Sequence, residues 1–180
     1  MNEALIAKAR CPKRHWNFNK INFQGPEWAV KADIIEKGFD EGGFMCAILG
    51  KRGTGKTQMG VELIRYALSL DKSCIYRKMC EIFMAIKQGY NSKMSEEDVL
   101  LPFRRAELLI LDEIQERSQS DWENQLITYL IDRRYDDMKS TVLIGNVEVK
   151  DAKDSLGASI YSRLIETGGV IECDWKSFRK

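Results

Sequence analysis

The amino-acid sequence predicts an α/β fold in which a parallel sheet is covered by helices on both faces. Two kinds of segment lead to this prediction. Short apolar runs typical of buried strands alternate along the chain with longer segments whose apolar residues recur every three or four positions. Such alternation is typical of parallel sheets, because neighbouring parallel strands are joined by helical crossovers. The chain has 180 residues, 44% of them hydrophobic, so it can bury one core but is too short for two full-sized enzyme domains.

The elements follow in chain order. A first amphipathic helix is predicted at residues 25–39, where a proline lies near the start and apolar residues recur at helical spacing. Strands are predicted at residues 44–49, 73–76, 107–111, 141–144 and 170–173. Further helices are predicted at residues 56–69, 78–88, from about 95, at 120–134 and at 159–166. Ser120 and Glu123 have the spacing of a capping box, which supports the start of the helix at that point.

Composition and charge limit the kinds of partner and the cellular location that we expect for this protein. The chain has 28 Lys and Arg against 27 Asp and Glu, so contact with nucleic acid would need a local basic patch. The apolar runs are far shorter than the roughly 18–20 residues of a membrane span, and the N-terminus lacks the order of a secretory signal. We therefore expect a cytoplasmic protein without a membrane partner. The five cysteines form no CxxC pair, which favours free thiols, and Cys11 with His15 is at most half a zinc site.

A glycine-rich segment joins the first strand to the next helix. Residues 50–57 read GKRGTGKT and match the pattern G-x-x-x-x-G-K-[ST] without a mismatch. In such a loop the glycines let backbone N–H groups surround phosphates, and the following helix points its positive dipole end at them. Lys56 is predicted to reach the β- and γ-phosphates, and the Thr57 hydroxyl to bind Mg²⁺. The predicted nucleotide contacts are Gly50, Lys51, Arg52, Gly53, Thr54, Gly55, Lys56 and Thr57.

The third predicted strand ends in two carboxylates. Residues 108–113 read LLILDE, which is the Walker B pattern. Asp112 is predicted to hold Mg²⁺, usually through water, and Glu113 to orient or deprotonate the attacking water. Because a kinase needs room for an acceptor rather than a water-activating glutamate, the pair favours hydrolysis. The sequence thus predicts a Mg²⁺-dependent ATPase.

Two polar residues farther along the chain complete the predicted catalytic set. Asn146 follows an apolar strand, where its amide is predicted to reach the water or the γ-phosphate; the alternative is an ordinary asparagine at a turn. Arg163 lies on a predicted helix, where it is expected to reach the ATP of a neighbouring subunit and stabilise transition-state charge; the alternative is a solvated arginine. The positive charges of Arg133 and Arg134 are favourable at the C-terminal end of their helix because of its dipole. Either arginine is also a candidate for a contact at a subunit interface.

Together these motifs resemble the DnaC/IstB-like branch of AAA+ ATPases, the replicative helicase loaders and transposition helper ATPases. The resemblance covers residues 44–180. It implies a P-loop NTPase fold of the AAA+/ASCE type, a three-layer sandwich with a parallel central sheet. Beyond the phosphate loop it is carried by the segments SEE (95–97), AELLILDEI (106–114), IDRRY (131–135), LG (156–157), SRL (162–164) and DWKSFR (174–179).

The resemblance implies a function and partners. It implies a protein that binds ATP and Mg²⁺, self-associates with the ATP site at the subunit interface, and delivers a replicative hexameric helicase onto single-stranded DNA. Three lysines are candidates for contacts with the DNA backbone or simply solvated side chains: Lys78, Lys87 and Lys93.

The ends of the chain depart from the family pattern. Few residues follow Arg163, so the helical lid of most AAA+ proteins is expected to be absent or minimal. We divide the chain into residues 1–43, an irregular arm and amphipathic helix that form a candidate partner-binding segment, and residues 44–180, the AAA+ core. The alternative functions are a transposition helper that assembles on duplex DNA, a non-hydrolysing adaptor switched by ATP, and a P-loop kinase.

Overall fold

The computed structural model describes residues 3–16 and 25–179 and contains a five-stranded parallel sheet. The strands are β1 (Met45–Gly50), β2 (Cys74–Lys78), β3 (Leu108–Asp112), β4 (Ser140–Gly145) and β5 (Val170–Cys173). Their order across the sheet is β2-β3-β4-β1-β5, and all four neighbouring pairs are parallel. The predicted α/β fold with a parallel sheet is confirmed.

Eight helices surround the sheet in the described residues. They are α1 (Glu3–Lys8), α2 (Pro26–Glu41), α3 (Lys56–Ser69), α4 (Met79–Asn91), α5 (Glu96–Arg105), α6 (Asp121–Asp136), α7 (Ala152–Leu156) and α8 (Ala158–Thr167). The predicted helices and strands are all present, with ends displaced by three residues or fewer. Helices α1 and α7 were not predicted, because helices of six and five residues are too short to display a helical period. Residues 17–23 of the predicted irregular arm lie outside the described residues.

Helices cover both faces of the sheet, and each face has its own buried cluster. Along β1, Cys46 and Ile48 pack against α1, α2 and α3, whereas Met45, Ala47 and Leu49 pack against α4 to α8. Side chains alternate between the faces of a strand, so a strand buried on both faces is apolar throughout. This arrangement explains why the central strands read as continuous apolar runs.

Side chains define the starts of two helices. The Ser120 hydroxyl accepts a hydrogen bond from the backbone N of Glu123 at 3.3 Å, as the predicted capping box requires. The Glu123 carboxylate, however, accepts from the backbone N of Gln119 instead of closing the box on Ser120. Helix α5 has the complete box, in which Ser95 and Asp98 each accept from the other's backbone N.

Arg134 is a structural residue of the core. It is 0% exposed, so the proposed interface contact is wrong for this arginine. Burial lowers the pKa of its guanidinium to about 9. Its guanidinium binds the carbonyls at the end of α5 and the start of β4, which joins these two elements. The acceptors are the carbonyl oxygens of Phe103, Arg104, Ala106 and Ser140 and the hydroxyl of Thr141.

All five cysteines lie within the described residues and are free thiols. Cys11, Cys46 and Cys173 are buried, and burial raises the pKa of the Cys11 thiol to about 12. Among the described residues, no helix combines the length and the apolar character that crossing a bilayer requires.

Candidate functional site

The phosphate-loop residues and the Walker B carboxylates meet in one cleft at the carboxyl edge of the sheet. The cleft has a volume of about 500 Å³. Because β1, β3 and β4 are parallel neighbours, their carboxyl ends deliver the predicted residues to the same edge. The predicted residues that line the cleft are Arg52, Gly53, Gly55, Lys56, Thr57, Asp112, Glu113 and Asn146; Gly50, Lys51 and Thr54 belong to the same loop.

The loop backbone needs glycine at two of its positions. Gly50 has a φ of 137°, and a Cβ at this position would lie 2.2 Å from the Cys173 carbonyl oxygen. Gly53 has a φ of 83°, and a Cβ there would lie 2.1 Å from Ser177 Oγ. Both residues have a positive φ, which side chains other than glycine rarely adopt, and both have a close neighbour where a Cβ would lie. Larger residues are therefore unfavourable at these two positions. The conformation leaves the backbone N–H groups of the loop available to bind an anion.

Lys56 lies at the first position of α3 and reaches back over the loop. Its Nζ donates to the carbonyl oxygens of Gly50 at 2.8 Å and Lys51 at 2.6 Å. Burial is the main cause that lowers the pKa of this ammonium from its ordinary value. The ammonium is therefore held at the centre of the loop, as a phosphate contact requires.

The Thr57 and Asp112 side chains form an oxygen donor set that fits Mg²⁺. Thr57 Oγ1 donates to Asp112 Oδ2 at 2.7 Å, which brings the hydroxyl and the carboxylate to one point. The backbone N of Glu113 donates to the other carboxylate oxygen, Oδ1, at 2.7 Å. Hydroxyl and carboxylate oxygens are the hard ligands that Mg²⁺ prefers, normally together with phosphate oxygens and water. The donor chemistry therefore agrees with a Mg²⁺–nucleotide complex.

Glu113 has a strained backbone and an ion-paired side chain. Its φ of 56° lies in the left-handed region, which is uncommon for a residue other than glycine. Its carboxylate lies 2.8 Å from Lys78 Nζ at the end of β2. This pair places Lys78 beside the carboxylate in the cleft, while Lys87 lies 5.8 Å above the Trp122 ring and Lys93 is exposed at a turn. Contact of these lysines with DNA stays a prediction.

Asn146 and Arg163 lie in different surroundings. Asn146 lines the cleft, and its backbone N donates a hydrogen bond to the Gln115 side-chain oxygen, Oε1, at 2.9 Å. Arg163 does not line the cleft of its own chain. Its guanidinium lies on α8, 3.1 Å from Asp132 Oδ1 and 5.3 Å from the centre of the Tyr135 ring. An action of Arg163 on phosphate would therefore require a second subunit.

Residues near both ends of the chain also line the cleft, although no motif predicted them there. Arg14 and His15 come from a short 3-10 turn, and Phe178 and Arg179 from the segment after β5. The His15 Nδ1 atom lies 2.8 Å from the side-chain oxygen of Gln58, which is fully buried on α3. Burial is the main cause that lowers the pKa of the His15 imidazole. The partner of His15 is thus Gln58, and the structure provides no cluster of three metal-ligating side chains among the described residues.

Two tryptophans and the C-terminal segment brace the outer side of the phosphate loop. Trp28 Nε1 donates to the Gly55 carbonyl at 3.2 Å, and Trp175 Nε1 donates to the Thr54 carbonyl at 3.0 Å. The backbone N of Phe178 donates to the Gly53 carbonyl at 2.8 Å. A buried indole N–H usually finds an acceptor, but the sequence does not indicate which one.

Comparison with known proteins gives one family and several relatives. The family described as "IstB-like ATP binding protein" matches residues 18–180. The replicative helicase loader DnaC of Buchnera aphidicola (subspecies Acyrthosiphon pisum) is 26% identical over 165 residues, which cover 89% of this chain and 67% of that protein. DnaC of Escherichia coli K12 is 28% identical over 132 residues, which cover 72% of this chain and 54% of that protein. The chain thus spans about half the length of the E. coli relative.

Solved structures with similar folds include two AAA+ proteins of DNA replication. A crystal structure of the DnaC helicase loader has a TM-score of 0.76 at 21% identity and covers 90% of this chain and 99% of that chain. The replication initiator DnaA bound to AMPPCP and single-stranded DNA has a TM-score of 0.76 at 18% identity, covering 92% of this chain and 51% of that chain. At these identities the likeness establishes the fold alone, and this is the fold that the family resemblance implied.

Proposed function

Because the chain belongs to the family of IstB-like ATP-binding proteins, we propose that it is an ATPase that delivers a replicative hexameric helicase onto single-stranded DNA. One observation carries the ATPase part. Lys56, Thr57 and the Asp112-Glu113 pair meet in one cleft, although they come from positions more than 50 residues apart in the sequence. The named function of the DnaC relatives supports helicase loading as the use of that ATPase.

Each residue of the cleft has a separate task in the proposed reaction. The loop N–H groups and Lys56 bind the phosphates, and Thr57 with Asp112 would hold Mg²⁺. When bound, Mg²⁺ would neutralise negative charge on the phosphate oxygens. Glu113 orients the attacking water and takes its proton, for which its carboxylate must turn from Lys78 toward the water. Asn146, which lines the same cleft, offers its amide to the same water or to the γ-phosphate.

The function is tested by phosphate release together with helicase loading. We would measure phosphate release from ATP across a protein dilution series, without DNA, with single-stranded DNA and with duplex DNA. We would also measure ATP-dependent recovery of a purified bacterial replicative helicase on circular single-stranded DNA. Release that responds to single strands, with helicase recovered only when the protein and ATP are present, is the expected result.

The alternative functions predict other outcomes of the same experiment. ATP binding without release under every condition would favour an adaptor switched by ATP. Preference for duplex DNA without helicase recovery would favour a transposition helper. Consumption of ATP in equal amounts with a phosphorylated acceptor, without free phosphate, would favour a kinase. Each of these results would contradict the proposed function.

The Arg163→Ala variant tests whether the ATP site is completed by a second subunit. We expect hydrolysis to fall by about 100-fold or more, because an arginine that stabilises transition-state charge has an effect of this size or larger. ATP binding should persist, since Arg163 lies outside the cleft of its own chain. A mixture of Arg163→Ala with Glu113→Gln should regain activity, because one mixed interface contains both intact residues.

An exposed arginine provides the control for this experiment. Arg105→Ala removes an arginine from the surface of α5 and should hydrolyse ATP at the wild-type rate. Activity of Arg163→Ala equal to that of the wild type, with the same turnover per monomer at every dilution, would show that Arg163 does not act in a second subunit.

Arg179 is expected to contribute to nucleotide affinity from within the same chain. It lines the cleft, and its positive charge acts on both Lys56 and His15. Arg179→Ala should weaken binding of ATP about tenfold, which is typical of the loss of one charge-assisted contact. Equilibrium binding of a fluorescent ATP analogue measures the change. Lys176→Ala, an exposed cation outside the cleft, is the control, and equal affinities of the two variants would contradict the assignment.

A further inference from the structure

A buried tyrosine contacts the metal-binding carboxylate, and no motif predicted it. Tyr76 OH donates a hydrogen bond to Asp112 Oδ2 at 2.6 Å, the same oxygen that accepts from Thr57 Oγ1. We propose that Tyr76 is a positioning residue that holds the Asp112 carboxylate in the orientation needed to bind Mg²⁺. This proposal rests on the proposed function, because it assigns a task at the same Mg²⁺–ATP site.

The sheet places the tyrosine and the carboxylate on the same face. β2 and β3 are parallel, with Lys78 opposite Asp112 and Tyr76 opposite Ile110. Residues two apart on a strand point to the same side, so Tyr76 and Asp112 lie on one face of neighbouring strands. The tyrosine ring spans the distance to the carboxylate at the edge of the sheet.

Tyr76 has little freedom to turn away from Asp112. It is 3% exposed and belongs to the buried cluster beneath α1, α2 and α3. Its backbone N donates to the Ala9 carbonyl at 2.8 Å, which ties the outer edge of β2 to the N-terminal segment.

The hydrogen bonds leave the carboxylate with a defined orientation. Oδ1 accepts from the backbone N of Glu113, and Oδ2 accepts from the two hydroxyls of Thr57 and Tyr76. Bonds on both oxygens oppose rotation of the carboxylate about its Cβ–Cγ bond. Outer hydrogen-bond partners of metal ligands typically change metal affinity by 10- to 100-fold. Loss of the tyrosine hydroxyl should therefore weaken the response to Mg²⁺ more than the binding of the nucleotide itself.

The Tyr76→Phe variant tests the proposal. Binding of a non-hydrolysable ATP analogue is measured by calorimetry at graded Mg²⁺ concentrations and in excess EDTA. We expect the Mg²⁺ concentration at half-maximal effect to rise about tenfold. Affinity for the analogue in EDTA should equal that of the wild type. In the described residues the Tyr76 hydroxyl donates to Asp112, and it is linked to the phosphate loop only through that carboxylate and Thr57.

Two controls separate positioning from a general effect of losing a hydroxyl. Tyr66→Phe removes another tyrosine hydroxyl that donates to a carboxylate, that of Asp40 at 2.8 Å, and it lies outside the cleft. This variant should keep the wild-type response to Mg²⁺. In the Asp112→Asn background, Tyr76→Phe should cause no further tenfold change, because the group on which it acts is already altered.

Two results would overturn the assignment. One is a Tyr76→Phe protein with the wild-type Mg²⁺ midpoint, and the other is an equal loss of affinity with Mg²⁺ and with EDTA, which indicates a structural role. If the variant is partly unfolded at 25 °C, the shift of Tm by the analogue with Mg²⁺ and with EDTA, compared between variant and wild type, supplies the same comparison. Failure of the wild type to bind the analogue, or to respond to Mg²⁺, would instead contradict the proposed function.

Discussion

Glu113→Gln is expected to lower ATP hydrolysis by about 100- to 10,000-fold, the range typical of a lost general base. The amide has the size of the carboxylate but cannot accept a proton from water. ATP should still bind, because Lys56, Thr57 and Asp112 form their contacts without the Glu113 side chain. Phosphate release and binding of a fluorescent ATP analogue, measured on the same preparation, separate the two effects.

The matched control for this variant is Glu148→Gln. Glu148 is exposed and pairs with Lys150 at 2.8 Å, just as Glu113 pairs with Lys78 at 2.8 Å, but it lies outside the cleft. The Glu148→Gln variant should hydrolyse ATP at the wild-type rate. This result would exclude the loss of a Glu–Lys ion pair as the cause of the lower rate in Glu113→Gln. Wild-type turnover by Glu113→Gln would remove the assignment of Glu113 as the base and leave the fold and the nucleotide contacts unaffected.

Arg134→Met is expected to lower the free energy of unfolding by about 3–5 kcal/mol, because several buried oxygens lose their donor at a cost of about 1–3 kcal/mol each. Methionine replaces the aliphatic part of the side chain but donates no hydrogen bonds. The buried oxygens at the end of α5 and the start of β4 would then lack a donor. Urea denaturation at pH 7, followed by circular dichroism, measures the change.

The neighbouring arginine on the same helix is the control. Arg133 is exposed, and its guanidinium lies 5.3 Å from the centre of the Tyr129 ring. Arg133→Met should change the free energy of unfolding by about 0.5 kcal/mol or less, as is usual for surface substitutions. Equal stability of the two variants would mean that Arg134 is not the joint between α5 and β4 that its hydrogen bonds indicate.

The prediction from sequence succeeded for features that depend on local pattern. The GKRGTGKT motif could be recognised because all its defining glycines and its lysine lie within eight consecutive residues. Helix α3 was predicted with its observed bounds, Lys56–Ser69, because its helical period is continuous. The Asp112-Glu113 pair could be assigned to the same cleft because the carboxyl ends of parallel strands share one edge.

The prediction was incomplete where a residue acts on a distant part of the chain. Arg134 looked like an ordinary cation at a helix end, and only its burial shows that it joins α5 to β4. Lys78 looked like a surface lysine, but β2 lies beside β3 and so brings it to Glu113. The sequence offered His15 no partner beyond Cys11, which is too little for a zinc site, and folding brings the imidazole to Gln58 on α3.

Periodicity and short motifs alone therefore predicted the longer helices and the strands in their order, the glycine-rich loop and the two carboxylates. Which side chains surround that loop and those carboxylates depends on the folded chain. Tyr76 reaches Asp112, and Trp28 and Trp175 reach the phosphate loop, across sequence separations of 36, 27 and 121 residues. Such contacts depend on the order of the strands and the packing of the chain ends, because no local periodicity encodes which distant donor a buried oxygen will meet.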